Sequence, residues 1–528
     1  MRKKFSAINL NWFVIALLLL GVLFKLFVTS NGNIIFHMDS ARDFVDVREM
    51  VELMKPRLIG QTSGIEGFYN GPGWYYLMAI PYILFDGDPY GGVVLMIVLW
   101  AIGGYFLYLV TRRYGFFPWL SSLLVWFASP YISLSTVYSF NPHPIIYLTP
   151  LFVFLLEKYI VTEKIWYGIL TAILSALFFQ WEMNTGVFNP LIIIGSILLA
   201  KKYSLFKSRS FWISISVYMS FFLPQLLFDL RHNFIMSSAV FRFLGEGGAN
   251  SLSLTEKFDN TWNVFFGAFV PTLLNSSLLV KSILILFGLV SLLGVLRYKK
   301  GLLNHLDFPL TISLLTIIIP FIGYLLLPVN IHPWHMVAVV SSSIIVSAYL
   351  VSNLKKRFPV GWVLIVVYFI FCFMSIWQGV GNGFRENGQA SDDPSNLRNE
   401  LNAIDYAYEQ ADGKNFKAYA YLPSVIDFPY QYLFWWYGLK EYGYTPSEYF
   451  YLSGKPEYIS NKEKFNQPKK EAEDSELVIL IKEPDRIKMR HLWEGNFQKY
   501  PLLDQRMIGP LEVETRSSSQ SAMINSAP

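Results

Sequence analysis

Apolar stretches long enough to cross a bilayer recur from Leu10 to about Val380, and the gaps between them alternate in character. Basic residues fill every second gap: Arg2-Lys3-Lys4, Arg112-Arg113, Lys201-Lys202 with Lys207 and Arg209, Arg297 with Lys299-Lys300, and Lys355-Lys356-Arg357. The other gaps carry acids, histidines, prolines and aromatics. A crossing helix needs ~20 apolar residues. That criterion predicts spans near 11–29, 91–111, 117–137, 144–161, 165–180, 187–200, 211–228, 279–296, 308–327, 335–352 and 360–379. The count is about eleven crossings. Basic loops stay on the cytoplasmic side. One topology then fits every basic cluster, with the N-terminus inside and the polar gaps and C-terminus outside. The fold class is an α-helical multi-pass membrane protein of the cell membrane.

The first outer loop, 30–90, carries two amphipathic pieces. From His37 to Met54, Phe44, Val47, Val51 and Met54 recur at helical spacing, with Asp39 and Ser40 at the expected N-cap. After Gly71-Pro72-Gly73, an aromatic run beginning Trp74-Tyr75-Tyr76-Leu77 is too short to cross and predicts a helix lying on the outer surface. The stretch 262–278, broken by Gly267 and Pro271, reads as interfacial or re-entrant. The chain divides into a membrane domain, 1–380, and a small extracytoplasmic α/β domain, 381–528. In the second, Leu397, Leu401, Ile404 and Tyr408 mark a helix, and Phe416 to Leu422 and Leu477 to Ile481 read as strands. The tail from Ser517 to Pro528 is expected to be disordered.

A hydrophobic share of 53% with positive mean hydropathy excludes a soluble globular domain. The net charge of +5 sits in short basic loops, where it sets topology and does not indicate nucleic acid. The single cysteine, Cys372, precludes an intrachain disulfide. The first span lacks a small-x-small cleavage signal and reads as a retained anchor.

The candidate chemistry concentrates on the outer face. Of seven histidines, His37, His143, His232, His332 and His335 all fall there. Asp39-Ser40-Ala41-Arg42-Asp43 opens the first loop helix. A carboxylate held there can take a proton from an attacking hydroxyl or amine. Asp39, Asp43 and Asp46 share one helical face and need a compensating cation, which Arg42 offers. The plainer reading is a capped, solvated helix face. Arg231 and His232 follow a span at the outer boundary and suit a lipid-linked phosphate, or else Arg231 snorkels beside Asp229. Glu182, His143, His332 and His335 are candidates for the rest of a substrate cavity. Pro333 between the last two histidines argues against a helical metal pair. No phosphate-loop, dinucleotide or cysteine-zinc motif occurs.

These residues carry a family resemblance. Met38-Asp39-Ser40-Ala41-Arg42-Asp43, continuing to Arg48-Glu49-Met50, is similar to the D-E-A-R-Y…R-E-M helix of the GT-C superfamily of membrane glycosyltransferases. The branch is that of protein O-mannosyltransferases and lipid A aminoarabinose transferases. Asn70-Gly71-Pro72-Gly73-Trp74-Tyr75-Tyr76-Leu77 resembles that family's P-P-L-Y-Y-x-L segment. The resemblance spans roughly 10–355. Two positions depart from it: Ser40 stands where many members have a second acid, and Gly71-Pro72-Gly73 replaces a Pro-Pro pair. The resemblance implies a polyprenyl-phosphate sugar donor, a lipid, glycan or protein acceptor, inversion at the anomeric carbon and catalysis on the extracytoplasmic face. It implies Asp39 as the catalytic carboxylate, with Asp43 standing in for the missing second acid. The positions of the cations, read by themselves, add Arg231, His232 and Arg42 as donor-phosphate contacts. Metal use varies in the superfamily, so a divalent metal is left unassigned. A transporter or lipid flippase is the alternative from another class, and a non-catalytic membrane scaffold is a third.

Overall fold

A computed structural model describes residues 2–245, 253–273, 307–327, 331–357, 359–387, 389, 391–453, 459, 461–469 and 477–518. The expected span at 279–296, the basic residues Arg297, Lys299 and Lys300, and the tail beyond Ser518 lie outside the described residues.

The architecture is mostly helical. In chain order the first elements are α1 (Arg2–Thr29), α2 (Met38–Glu52), α3 (Gly73–Leu84), α4 (Tyr90–Thr111), α5 (Phe116–Ala128), α6 (Pro130–Thr136) and α7 (His143–Thr162). Then come α8 (Ile165–Trp181), α9 (Met183–Gly186), α10 (Asn189–Leu199), α11 (Arg209–Ser220), α12 (Leu223–Arg231), α13 (Ile235–Gly245) and α14 (Leu254–Leu273). The last bundle helices are α15 (Phe308–Leu326), α16 (Val337–Arg357) and α17 (Pro359–Glu386). Among the described residues, six helices are long and apolar enough to cross a membrane, or eight if each of two bent pairs is one span.

The bends have local causes. Between α5 and α6 the chain turns by 56°. There Pro130 opens α6, and the Ser129 hydroxyl accepts from Ile132 N to cap it. α11 and α12 meet at 44°, with Pro224 in the first turn of α12. The predicted spans at 165–180 and 187–200 are shorter apolar helices separated by Glu182, whose extended backbone and side chain cap α9. α14 runs unbroken through Gly267 and Pro271.

Both expected pieces of the first loop are present. α2 is capped by His37, not by Asp39 or Ser40, because the His37 ring accepts from Asp39 N. It ends at Glu52, so Met54 falls past the helix in a positive-φ position and is 84% exposed. α3 packs Trp74, Tyr75, Met78 and Tyr82 inward and leaves Tyr76, Ile80, Ile83 and Leu84 exposed on an apolar face. That is the pattern of a helix lying at an interface.

The C-terminal part adds α18 (Leu397–Ala411), α19 (Phe428–Tyr437) and a five-stranded sheet of order β2-β1-β3-β5-β4. The strands are β1 (Lys417–Tyr421), β2 (Glu448–Phe450), β3 (Leu477–Lys482), β4 (Leu502–Ile508) and β5 (Leu511–Ser517). β1 runs parallel to β2 and β3, and β5 antiparallel to β3 and β4. This part shares one apolar core with the first loop. Tyr432 packs on Phe36 and Phe44 and donates to Gly87 O at 2.6 Å, while Trp436 donates to Asp86 O at 2.9 Å. Arg48, 1% exposed, stacks against Trp435 and Phe465 at 4.7 and 4.0 Å. The aromatic run Phe428 to Tyr437 is therefore a buried joint and is not open for sugar stacking or membrane contact. Nearly the whole circumference of α19 is buried, with Tyr430, Tyr432, Leu433 and Phe434 at 1% exposure or less.

Candidate active site behind the first loop

α2 distributes its acids among donors supplied by its own next turn, by α3 and by the loop between them. Arg42 donates to Asp39 Oδ1 at 2.8 Å and, through Nε and Nη2, to Asp43 Oδ1 at 3.0 and 2.9 Å. Asp43 Oδ2 accepts from the Trp74 indole at 2.7 Å. Asp46 instead meets Tyr75 and Arg57, both at 2.7 Å. The shared face predicted for the three aspartates is real. Its compensation is split between Arg42 and Arg57.

Depth separates Asp39 from Asp43. Asp43 is 1% exposed, and burial pushes its carboxyl up to about 6 even with Arg42 opposing the rise. The Asp39 side chain is 24% exposed and lines a cavity of about 340 Å³ together with Arg42. Burial works against the charge of Arg42, but Asp43, Tyr75 and Asp39 outweigh it, so the guanidinium is more firmly cationic than in water. Asp43 thus orients Arg42 from beneath, and it does not line the cavity.

The far wall comes from breaks between bundle helices. Glu182, between α8 and α9, accepts from the Asn184 amide at 2.9 Å, and that amide lies 3.1 Å from His335 Nε2. Burial pushes Glu182 up to about 7, against the hydrogen bonds from Asn184. His332 stacks on Trp334 with centroids 4.5 Å apart, and Trp334 in turn meets Phe140 edge-on. Asp39, Arg42, Glu182, His332 and His335 therefore line one cavity, although they come from three distant stretches of chain. Among the described residues, no three His, Cys, Asp or Glu side chains converge as a metal site.

The roof is the loop 60–71, folded back on itself. Gly60 N donates to Asn70 O at 2.8 Å, and Asn70 N to Gln61 O at 2.9 Å. A Cβ on Gly71 would lie 1.9 Å from the Gln180 amide, and one on Gly60 would lie 2.3 Å from Gly71 O. This close approach accounts for glycine at both positions. Gln61 is 5% exposed, lines the cavity, and has no partner for either end of its amide. Gln61 and Asn141 were not singled out by the sequence, and Asn70 entered only as the start of the Gly71-Pro72-Gly73 segment, since only the tertiary fold brings them to the cavity at Asp39.

Three predicted residues stand elsewhere. His143 is buried beneath the wall: its Nδ1 lies 2.8 Å from Tyr138 O, and its ring props Tyr138 and Phe140. Arg231 and His232 are exposed at the end of α12 and are not among the cavity residues. The His232 ring stacks on Phe228 at 4.0 Å. Nor does Asp229 pair with Arg231. It is 6% exposed and caps α13, accepting from Met236 N at 2.7 Å and from the Ser237 hydroxyl at 2.5 Å.

The fold and cavity define a multi-pass membrane protein whose polar site lies at the first loop. No protein-family model and no curated protein matches the chain. Among solved structures, the apo crystal structure of ArnT from Cupriavidus metallidurans is similar over 96% of this chain and 98% of its own, with a TM-score of 0.58 at 10% identity. At that identity the likeness is one of fold, and the fold is ArnT-like.

Proposed function

We propose that this chain is an inverting glycosyltransferase that moves a sugar from a polyprenyl-phosphate donor to an acceptor on the extracytoplasmic face. The observation that carries the reading is Asp39 beside Arg42 on one turn of α2, both opening on a cavity that also holds the unpartnered Gln61. In the step, Asp39 takes the proton from the acceptor hydroxyl or amine. The freed lone pair forms a bond to the anomeric carbon, and the bond from that carbon to the phosphate oxygen breaks. Arg42 meets the charge that develops on the leaving phosphate. Glu182, His335 and Gln61 supply polar contacts to the sugar. ArnT-like folding supports a lipid-borne substrate, which reaches such a cavity from the bilayer.

The same reading gives about eleven crossings, with residues 381–528 as an outer domain closing over the first loop. A tag placed after Pro528 should be cleaved by protease added to intact cells. Protection until permeabilisation would reverse the orientation. The decisive assay is lipid-linked sugar turnover by the purified protein, wild type beside Asp39→Asn. Wild-type turnover that the substitution leaves intact removes Asp39 from the mechanism. Movement of the lipid across the membrane without sugar transfer would favour a flippase.

A further inference from the structure

A second cavity, of about 370 Å³, lies between α1, the α5–α6 bend and α17. It shares none of its lining residues with the cavity at Asp39. Its one cation is Lys25, four residues before the end of α1, so roughly 6 Å below that helix end. A lysine so near a helix end ordinarily extends its ammonium to the membrane surface. Lys25 turns inward instead. Its Nζ donates to the Thr136 hydroxyl at 3.0 Å and sits 5.0 Å from the ring of Trp100, which is 0% exposed. No described carboxylate forms an ion pair with it. Glu386 lines the same cavity but is exposed at the rim.

The walls show what kind of group would complete Lys25. α1 and α17 touch through Gly383 against Phe24 and Val28, and through Phe384 against Phe24 and Phe27. One turn earlier they part: a Cβ on Gly379 would meet nothing within 4 Å. The outer surfaces beside this opening are exposed and apolar, with Leu20 at 64%, Leu23 at 63%, Met374 at 61% and Trp377 at 82%. Gln378 and Asn382 add amides to the lining, the oxygen of Asn382 accepting from Arg385. An ionisable residue within a membrane bundle that lacks a charged partner points to a functional site, and an anion is the group that would complete a cation there.

We infer that this cavity holds the phosphate of an anionic lipid, with Lys25 on the headgroup and the acyl chains lying along the apolar surfaces of α1 and α17. The inference does not depend on the transferase reading. It is tested on the purified full chain in neutral detergent, by native mass spectrometry with three probes: dioleoylphosphatidic acid, dioleoylglycerol and inorganic phosphate. Phosphatidic acid should bind at least about tenfold more tightly than either other probe, as loss of a charged contact implies. Lys25→Met should weaken it by about tenfold, and Lys25→Arg should keep most of the affinity. Gly379→Leu fills open space, leaves Lys25 in place and should abolish binding. Asp39→Asn should leave it unchanged, which separates this site from the first cavity. Equal binding of dioleoylglycerol, or of phosphatidic acid to Lys25→Met, would reduce the cavity to an apolar groove and overturn the inference. Binding of inorganic phosphate as tight as that of phosphatidic acid would overturn the lipid as its source.

Discussion

At the edge of β3, the Lys482 ammonium is 2% exposed and meets Glu494 and Glu512 at 2.9 Å and Glu514 at 2.6 Å. The strand register supplies the last two, since Lys482 pairs with Glu512 and Leu480 with Glu514. In the first loop, Arg42 also sits between carboxylates, but one of them lines a cavity with a buried amide that has no partner. Both clusters have enough opposite charge. They differ in completeness. A saturated cluster holds two strands together and has nothing left to offer a ligand. An unsaturated one costs stability unless something binds, because a buried polar group without a partner keeps its desolvation penalty.

The largest expected effect tests the unsaturated side. Asp39→Asn keeps the size of the side chain and removes the base, so turnover should fall by about 10²–10⁴. Thermal stability should barely change, because Asp39 contributes one partly exposed contact to Arg42. A large drop in melting temperature without a catalytic defect would make the first-loop cluster structural, like that of Lys482. The saturated side should respond in the opposite way. Lys482→Met removes the one cation shared by all three acids, leaving Glu494 and Glu512 to Arg490 and Glu514 to Arg516, and breaking a buried ion cluster from one side costs about 3–5 kcal/mol. Denaturant unfolding should show that loss, while turnover per folded molecule stays near wild type.

Acid should separate the clusters by sign. Glu494 and Glu512 are pulled down by Lys482 and Arg490, which outweigh the upward push of burial. Carboxyls depressed in the folded state contribute stability above their unfolded pKa and lose it as pH falls through the folded value. The sheet cluster should therefore weaken below about pH 4.5. Asp43 runs the other way. Its carboxyl is raised to about 6, so the folded state binds its proton more tightly than the unfolded chain does. Its contribution to stability grows as pH falls from about 6 toward 4. Over the same interval Arg42 loses the charge that orients it, so turnover should decline with an acid limb near pH 6. Asp43→Asn should abolish that limb. A limb that survives would assign the titration to another group, with Glu182 the next to substitute.

What the sequence disclosed follows the same division between local and distant. Asp39 and Arg42 are three residues apart on one helix, so their pairing was legible from periodicity. The long apolar helices were likewise legible, because hydropathy is a local property, and six of them among the described residues are long enough to cross a membrane. Gln61 was invisible, and so was the place of Asn70 in the cavity: both depend on the close crossing of Gly60 and Gly71, and on Gln180 packed against it. Aromatic composition alone does not distinguish a sugar platform from the buried joint that Phe428 to Tyr437 forms. Its partners, Phe36, Phe44 and Gly87, lie more than three hundred residues away. Asp229 as a partner for Arg231, the alternative to a phosphate contact, does not form, because Met236 and Ser237 follow at the spacing of a cap.

The α12–α13 corner yields the smallest expected effect. If completeness is what separates a site from scaffold, an exposed arginine outside the cavity should contribute little to donor binding. Arg231 lies at the end of α12, with Asp229 already committed to the first turn of α13. Arg231→Ala should therefore change apparent donor affinity by no more than about 0.5 kcal/mol, the usual range for an exposed substitution. The comparison for this measurement is Arg42→Lys, which keeps the charge but cannot reproduce the fork that reaches Asp39 and Asp43 together. That change should raise the donor KM and lower kcat together. A tenfold loss with Arg231→Ala would mean that the α12–α13 corner reaches the donor when lipid is bound. Phe243 on α13 already lines the cavity, so the corner has a direct mechanical connection through which such a movement would act.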